Sequence, residues 1–385
     1  MKNVPTIALH GNYFDNNFGD LLLFKVFEQW VRSTQICRIV YPMVPEAEST
    51  RFRTHFQDAV HNTKSYSSWD ALIYSGGGLF ADSGSGSRFL LGHFDKRFFK
   101  ENVLPAEISI WRRNPYAIIG LEVGPLSNVF VRKQAKRIFK NANKISVRDL
   151  ESQNYVNSQF GIREEIACAP DPAVTISKED IPAEAKQKIC AILEPHGDRI
   201  LLGIHHPRDF LLGNVPSESL REGLISVLGS SAEVLPVLFT DIGDSQYSIH
   251  CEKLAEVIKT SVGKECIKIP FPGVWETVEL ISRLSAVLTT KLHVGVVAYA
   301  MGVYCESFAN HPKTMRFYKL TERSAQCTLF KDTDKKVALE KITRALEIAR
   351  RKPVLTDITW ERIRKEAHLH KTVALSFLDS VLHKA

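Results

Sequence analysis

Lys291 and His293 stand where a predicted strand meets a predicted helix, and they are the residues of this chain best suited to chemistry. The apolar residues Ala286 to Leu288 predict a buried strand, and the small, apolar run from Leu292 to Met301 predicts the helix behind it. A helix start presents free N–H groups and the positive end of the helix dipole, which favour an anion. Lys291 adds a fixed positive charge, and His293 adds a group that transfers protons near neutral pH. The junction therefore suits a small, strongly anionic substrate whose reaction needs acid–base catalysis. The alternative is a solvated lysine beside a histidine packed in the core.

Further cations and imidazoles follow other predicted strands. A strand over Ile200 to Ile204 ends in His205 and His206, and Arg208 follows two residues later. The two histidines can share proton transfer or simply cap the strand. Arg148 follows a strand over Lys144 to Val147, where its planar guanidinium suits a carboxylate or a phosphate. The alternative for Arg148 is an ion pair with Asp149 or with another acid across the segment that connects the two predicted domains.

Two glycine-containing segments precede these residues in the chain. Asn17, Gly19 and Asp20 lie in a loop before a helix predicted over Leu21 to Arg32. Asp20 is either the N-cap of that helix, which local sequence favours, or a carboxylate in a cleft. The second segment, Gly76–Gly77–Gly78, directly follows a strand predicted over Ala71 to Tyr74 and lets a ligand approach the backbone closely. It is neither a dinucleotide fingerprint nor a P-loop.

The elements that position these residues alternate between strand and helix, which indicates parallel β-α units. We predict an α/β protein of two Rossmann-like domains that face each other across a cleft, with a helical C-terminal tail. The predicted domains span residues 1–175 and 176–332, and the tail spans residues 333–385. The tail has one helix from Lys335 and another from Trp360, and we expect it to pack back on the domains.

Composition narrows the class of protein. The seven cysteines show no metal-ligand or disulfide framework, which favours reduced thiols in the cytoplasm and predicts no structural zinc. We find no signal-peptide pattern at Met1 to His10 and no apolar run long enough to span a membrane. The net charge of +7 is concentrated in two basic regions, Arg112 to Lys140 and Arg344 to Lys365. No nucleic-acid-binding motif accompanies them, so we expect either solvated helix faces or peripheral contact with an anionic membrane at its cytoplasmic face.

In their order and spacing, the motifs resemble those of the polysaccharide pyruvyl transferase family. The resemblance runs from about residue 11 to residue 305. It consists of Asn17-x-Gly19-Asp20, Gly76–Gly77–Gly78–Leu79 with Asp82, Ser146–Val147–Arg148–Asp149 with Ser152, Asp171–Pro172–Ala173 and Thr290-x-Leu292–His293.

The resemblance implies a fold like that of GT-B glycosyltransferases, and a reaction. The pyruvyl group of phosphoenolpyruvate would pass to two hydroxyls of a sugar as a cyclic ketal, without a cofactor or metal. His293 and Asp20 would be catalytic, and the donor would bind to Arg148, Lys291, Leu292 and Arg208 in the second domain and the cleft. Cleft loops would come from Asn17, Gly19, Gly76, Gly77, Gly78, His205 and His206. The first domain would hold the sugar acceptor, which is a polymer or a lipid-linked precursor.

Lys291 departs from the family pattern, which usually has arginine before the Leu–His pair. Lysine keeps the charge but loses the bidentate geometry of a guanidinium. Two other functions stay open: a glycosyltransferase of the same fold that uses a nucleotide sugar, and a glycan-binding relative without catalysis.

Overall fold

The computed structural model describes residues 4–12, 17–34, 37–42, 56, 60–62, 69–81, 98–162, 166–243, 245–351 and 355–382. The chain divides into two compact units. Unit 1 comprises Met1–Asn16, Asp20–Pro172 and Lys365–Ala385, and unit 2 comprises Asn17–Gly19 and Ala173–Arg364. Each unit is an α/β fold built on a parallel sheet, so the predicted pair of Rossmann-like domains is confirmed. The cleft that we expect between them stays a prediction.

The sheet of unit 1 has the strand order β3-β2-β1-β4-β5-β6-β7 within the described chain. The order reverses between β1 and β4, which are neighbours although two strands separate them in sequence. The strands are β1 (Thr6–His10), β2 (Arg38–Pro42), β3 (Val60–Asn62), β4 (Ala71–Phe80), β5 (Tyr116–Val123), β6 (Lys144–Val147) and β7 (Ala167–Cys168).

Helices cover this sheet. All eight residues of β5 are buried, as expected for a strand with helices on both faces of its sheet. The helices are α1 (Phe18–Arg32), α2 (Leu104–Arg112), α3 (Val129–Asn141) and α4 (Leu150–Tyr155), and the π-helical turns are Phe99–Val103 and Val156–Phe160. The core between the layers is rich in aromatic rings, among them Tyr74, Phe80 and Phe139.

Unit 2 repeats the plan with the strand order β10-β9-β8-β11-β12-β13. Here the order reverses between β8 and β11. The strands are β8 (Ile200–His205), β9 (Val234–Phe239), β10 (Ile267–Ile269), β11 (Ala286–Thr289), β12 (Tyr304–Ala309) and β13 (Cys327–Leu329). The helices are α5 (Ala183–Leu193), α6 (Val215–Gly229), α7 (Ser245–Val262), α8 (Val274–Arg283), α9 (Leu292–Ala300), α10 (Pro312–Leu320) and α11 (Lys335–Arg351), with 3₁₀ turns at Pro172–Thr175, Lys178–Asp180, Glu194–His196, Pro207–Phe210, Ser324–Gln326 and Phe330–Asp332.

The C-terminal region is helical, as predicted. Helix α11 belongs to unit 2, where Arg344 pairs with the fully buried Glu306 of β12 at 2.5 Å. The last helix, α12 (Ile358–Leu382), changes units between Arg364 and Lys365. The Arg364 guanidinium donates hydrogen bonds to the Ile176 and Ala300 carbonyls of unit 2.

The glycine run does not form the predicted loop after β4. The strand continues through it to Phe80, six residues beyond the predicted end at Tyr74. Gly76 and Gly77 adopt φ angles of +77° and +86°, and the pairing of β4 with β5 shifts register between Gly77 and Phe80. Glycine therefore lets the strand pass through an irregular stretch without ending it. Asp82 of the resemblance lies outside the described residues.

Candidate functional site

The carboxyl ends of β8 and β11 meet where the strand order of unit 2 reverses. In open α/β sheets this is the place where ligands bind. Nδ1 of His205, the last residue of β8, lies 2.9 Å from the Thr289 hydroxyl at the end of β11. The Thr289 oxygen also accepts a hydrogen bond from the Lys291 backbone N–H at 3.0 Å. The hydroxyl thus connects the two strand ends to the start of α9.

His206 lies beside two carboxylates at this edge. Its Nδ1 is 3.1 Å from Asp209 Oδ2, and its Nε2 is 3.9 Å from Asp241 Oδ1. The Thr290 hydroxyl donates to the same Asp209 oxygen at 2.5 Å. The His206 backbone is left-handed, with a φ of +58°, a conformation that costs a side-chain-bearing residue about 1–3 kcal/mol and is concentrated at functional sites.

Burial and charge fix the ionisation of two of these groups. Burial, with the electrostatic effects of His206 and Lys291, lowers the pKa of His205 well below its usual value, so its imidazole is neutral. Burial opposes ionisation of Asp209, but His206, the Thr290 hydroxyl and Lys291 outweigh it and lower the pKa of the carboxyl. Asp209 is therefore a carboxylate that holds His206 and Thr290 in place.

Two predicted donor-binding cations lie at this edge of unit 2. Lys291 is the half-buried N-cap residue of α9, and Arg208 is exposed in the 3₁₀ turn after β8. Leu292, the first residue of α9, is only 7% exposed and packs in the core. The side chain of Leu292 thus fixes the helix start, where the N–H groups favour an anion.

His293 is the second residue of α9 and is half-buried. A Cβ atom added at Gly19 would overlap Nδ1 and Cγ of the His293 ring and would lie 2.9 Å from its Cβ. The Phe18 N–H donates to the Asp241 carbonyl at 2.8 Å, and Asn17 forms a bridge with Ile242. Within unit 2, the structure thus brings the predicted loop residue Gly19 to His293 and the predicted loop residue Asn17 to Ile242.

Asp20 is not a helix cap. Helix α1 begins at Phe18, so Asp20 is its third residue, and the cap that local sequence favours is wrong. Its carboxylate accepts a hydrogen bond from the Asn12 amide at 2.9 Å, and a Cβ at Gly77 would lie 3.4 Å from its Oδ1. Asp20 and the glycine strand therefore lie together at the carboxyl edge of unit 1.

Arg148 is held between two carboxylates inside unit 1. Its guanidinium pairs with Glu122 and, at 3.0 Å, with Asp171, and its side chain is 5% exposed. Burial disfavours the charged guanidinium, but Glu122 and Asp171 outweigh it and raise the pKa of Arg148. Asp149 caps α4, because its carboxylate accepts from the Ser152 N–H at 2.7 Å. An ion pair, the alternative left open by the sequence, is thus observed, and both of its acids, Glu122 and Asp171, belong to the same unit as Arg148.

Several residues of these clusters escape sequence reasoning. Asp209 and Asp241 follow strands without forming a motif, so only the strand order reveals that they meet. The same holds for His370 of α12, whose ring bridges the Ser146 hydroxyl at 2.9 Å and the Ala169 carbonyl at 3.1 Å in unit 1. Among the described residues, no group of three or more His, Cys, Asp or Glu side chains is arranged to hold a metal ion.

A sequence profile of the polysaccharide pyruvyl transferase family matches residues 17–312. The chain belongs to this family. The match includes the start of α1, β4, Arg148 and the Lys291–His293 junction, in the order of the motifs identified from sequence. This pyruvyl transferase is thus a transferase of polysaccharide biosynthesis, and a sugar acceptor is consistent with the family. A search of curated proteins found no significant match.

Solved structures share the fold of this pyruvyl transferase. The UDP-GlcNAc 2-epimerase from Neisseria meningitidis has a TM-score of 0.62 at 10% identity, with 99% of this chain and 100% of that chain covered. The enzyme of the same name from Methanocaldococcus jannaschii has a TM-score of 0.61 at 10% identity, with coverages of 96% and 99%. At such identities the likeness shows the GT-B-like fold alone. Within the described part of the chain, we find no helix with the length and apolarity of a membrane span.

Proposed function

We propose that this enzyme transfers the pyruvyl group of phosphoenolpyruvate to two hydroxyls of a sugar residue in a polysaccharide or its lipid-linked precursor. The product is a cyclic pyruvate ketal, and phosphate is released. The observation that carries the proposal is the start of α9, where Lys291, Arg208 and His293 lie near the point at which the sheet order of unit 2 reverses. Family membership supports the reaction class.

Phosphoenolpyruvate carries a carboxylate and a phosphate, so its site needs fixed cations and N–H donors. Unit 2 offers the ammonium of Lys291, the guanidinium of Arg208 and the N-terminal N–H groups of α9. Arg148 is not part of this proposal. Its buried guanidinium is already paired with Glu122 and Asp171.

The reaction begins with a proton that adds to the methylene carbon of the donor. His293 supplies this proton, and a cationic centre forms at the carbon that bears the phosphate. One sugar hydroxyl bonds to this carbon. The bond between the carbon and the phosphate oxygen then breaks, and the second hydroxyl bonds to the same carbon and closes the ring. Of the two protons that the hydroxyls lose, one returns to His293 and the other goes to the released phosphate. Asp20 is proposed as the base that orients and deprotonates a hydroxyl.

The buried histidine pair has a supporting role in this proposal. Neutral His205 contacts Thr289, and His206 contacts Asp209, which accepts from Thr290; both histidines thereby hold the Thr289–Lys291 segment. The transfer as written needs no metal or cofactor.

The decisive experiment incubates the purified protein with phosphoenolpyruvate and a panel of free, polymeric and lipid-linked sugars. We expect phosphate release that depends on the acceptor, together with an acceptor product heavier by one pyruvate less one water. The Lys291→Ala and Arg208→Ala variants should bind phosphoenolpyruvate more weakly, by about 1.5–3 kcal/mol each in calorimetry. Sugar transfer from a nucleotide sugar would show a glycosyltransferase instead. Acceptor binding without turnover of either donor would show a glycan-binding relative.

A further inference from the structure

Helix α3 of unit 1 carries positive charge only. Its thirteen residues include five basic residues and no acidic one. The basic residues are Arg132, Lys133, Lys136, Arg137 and Lys140. The apolar residues Val131, Ala135, Ile138 and Phe139 are buried, which turns the basic side of the helix toward solvent. The helix is therefore strongly amphipathic and basic.

Helix α2 lies beside α3. Arg137 of α3 pairs with Glu107 of α2, with its Nε 2.8 Å from the carboxylate. Helix α2 ends at Arg112 before β5 begins at Tyr116, and α3 ends at Asn141 before β6 begins at Lys144. Both helices thus end at the amino edge of the same sheet.

Large aromatic side chains are exposed on both helices. Trp111, in the last turn of α2, is 80% exposed. Phe130, in the first turn of α3, is 45% exposed. The thirteen residues of α3 extend about 20 Å. Phe130 is at the start of this helix, and Trp111 is on the neighbouring helix α2.

We propose that the outer face of α3, together with Trp111, docks on an anionic lipid bilayer. A basic amphipathic helix with aromatic residues on its exposed side suits the lipid–water boundary. Lysine and arginine side chains contact lipid phosphates, and an indole ring is favoured at the depth of the headgroups. Because α3 carries five basic residues and no acidic one, we expect this surface to bind an anionic bilayer and not a neutral one. This inference goes beyond the proposed function, and its test requires no turnover.

The test uses the full-length protein and vesicles of phosphatidylcholine with and without phosphatidylglycerol. We expect co-sedimentation with the anionic vesicles at low salt and release at high salt, where the charges are screened. The Lys133→Glu/Lys140→Glu variant should bind at least about tenfold more weakly, since each basic residue near the surface contributes several-fold. Trp111→Ser should weaken binding without changing its salt dependence.

The matched control is Lys331→Glu/Lys336→Glu, which makes the same charge change at two exposed lysines of unit 2. This variant should keep most of its vesicle affinity, and all variants should keep the wild-type melting temperature. If the two double variants lost vesicle affinity equally, net charge alone would explain the binding, and the proposed docking surface would be wrong. Absence of vesicle binding at low salt would overturn it too, as would binding to a DNA duplex but not to vesicles.

Discussion

At the scale of single residues, His293 and His205 show how position in the fold gives two imidazoles different expected roles. His293 is half-buried on the first turn of a helix, whereas His205 is fully buried at a strand end and hydrogen-bonded to Thr289. We predict that His293→Gln folds normally, binds phosphoenolpyruvate and loses on the order of 10²–10⁴ in turnover, because glutamine cannot donate the proton. Melting, calorimetry and phosphate release test the three parts.

The matched variant His205→Gln should have the opposite effect. Its neutral ring fills a buried position, so replacement should lower the melting temperature, and whatever protein remains folded should still turn over. If well-folded His293→Gln retains its turnover, His293 is not the acid. The search for the acid then moves to His206 and Asp20.

Arg148 gives a second prediction at this scale. Arg148→Ala removes the guanidinium that is paired with the buried Glu122 and Asp171, so we expect a loss of about 3–5 kcal/mol in the free energy of unfolding. Arg208→Ala, at an exposed cation, should change that free energy by no more than about 0.5 kcal/mol. Denaturant unfolding of both variants checks the contrast. If the Arg148→Ala protein is stable but binds phosphoenolpyruvate poorly, Arg148 belongs to the donor site after all.

The sequence could locate Arg148 and Asp20 but could not choose between their alternative roles. Both follow a strand and precede or enter a helix, a pattern that is shared by caps, ion pairs and ligand sites. The choice depends on partners distant in sequence, such as Glu122, 26 residues before Arg148. Such pairs can be recognised only when the strand order is known, and a single sequence does not state that order.

At the scale of elements, Gly19 at the start of α1 determines where the ring of His293 can lie. An alanine Cβ at this position would overlap the ring. We predict that Gly19→Ala folds, because alanine favours a helix, but loses turnover by displacing His293. The loss should be of the same order as in His293→Gln, and the double variant should be no worse than either single variant. Additive losses would show that the two residues act separately.

Elements with a clear period were predictable, and irregular ones were not. Strand β6 has its predicted bounds, and β8 and β11 each extend one residue beyond theirs. Strand β4 extends past its predicted end because glycine signals both a loop and an irregular strand. Pairing with β5 decides between the two, and that pairing is a tertiary interaction.

At the scale of the whole molecule, stability should depend on pH through buried histidines, namely His10 and His370 of unit 1 and His205 of unit 2. Burial lowers the pKa of His10 and of His370 to about 4, and both are therefore neutral in the folded state. In the unfolded chain their pKa is 6.5, so below that pH the unfolded state binds protons that the folded state excludes. Stability is therefore lost as the pH falls from 6.5 toward 4, by about 2 kcal/mol for each histidine at pH 5.

Urea unfolding at pH 7.5 and pH 5 measures this loss. The His370→Gln variant should lose about 2 kcal/mol less than the wild-type protein between these pH values, whatever its stability at pH 7.5, since His10 and His205 still contribute. Equal stability of the wild-type protein at the two pH values would mean that these rings take up protons while folded.

The change of unit within α12 has a consequence for how the protein is made. The first strand of unit 1 begins at Thr6, yet Lys365–Ala385 belong to the same unit and supply the buried Ala367, Ala374, Phe377 and Leu378 to it. His370, from this same segment, satisfies the Ser146 hydroxyl and the Ala169 carbonyl. Because a ribosome adds residues in order, all of unit 2 is synthesised before this segment emerges. During translation, unit 1 therefore remains incomplete after unit 2 has been synthesised, until Lys365–Ala385 has emerged from the ribosome.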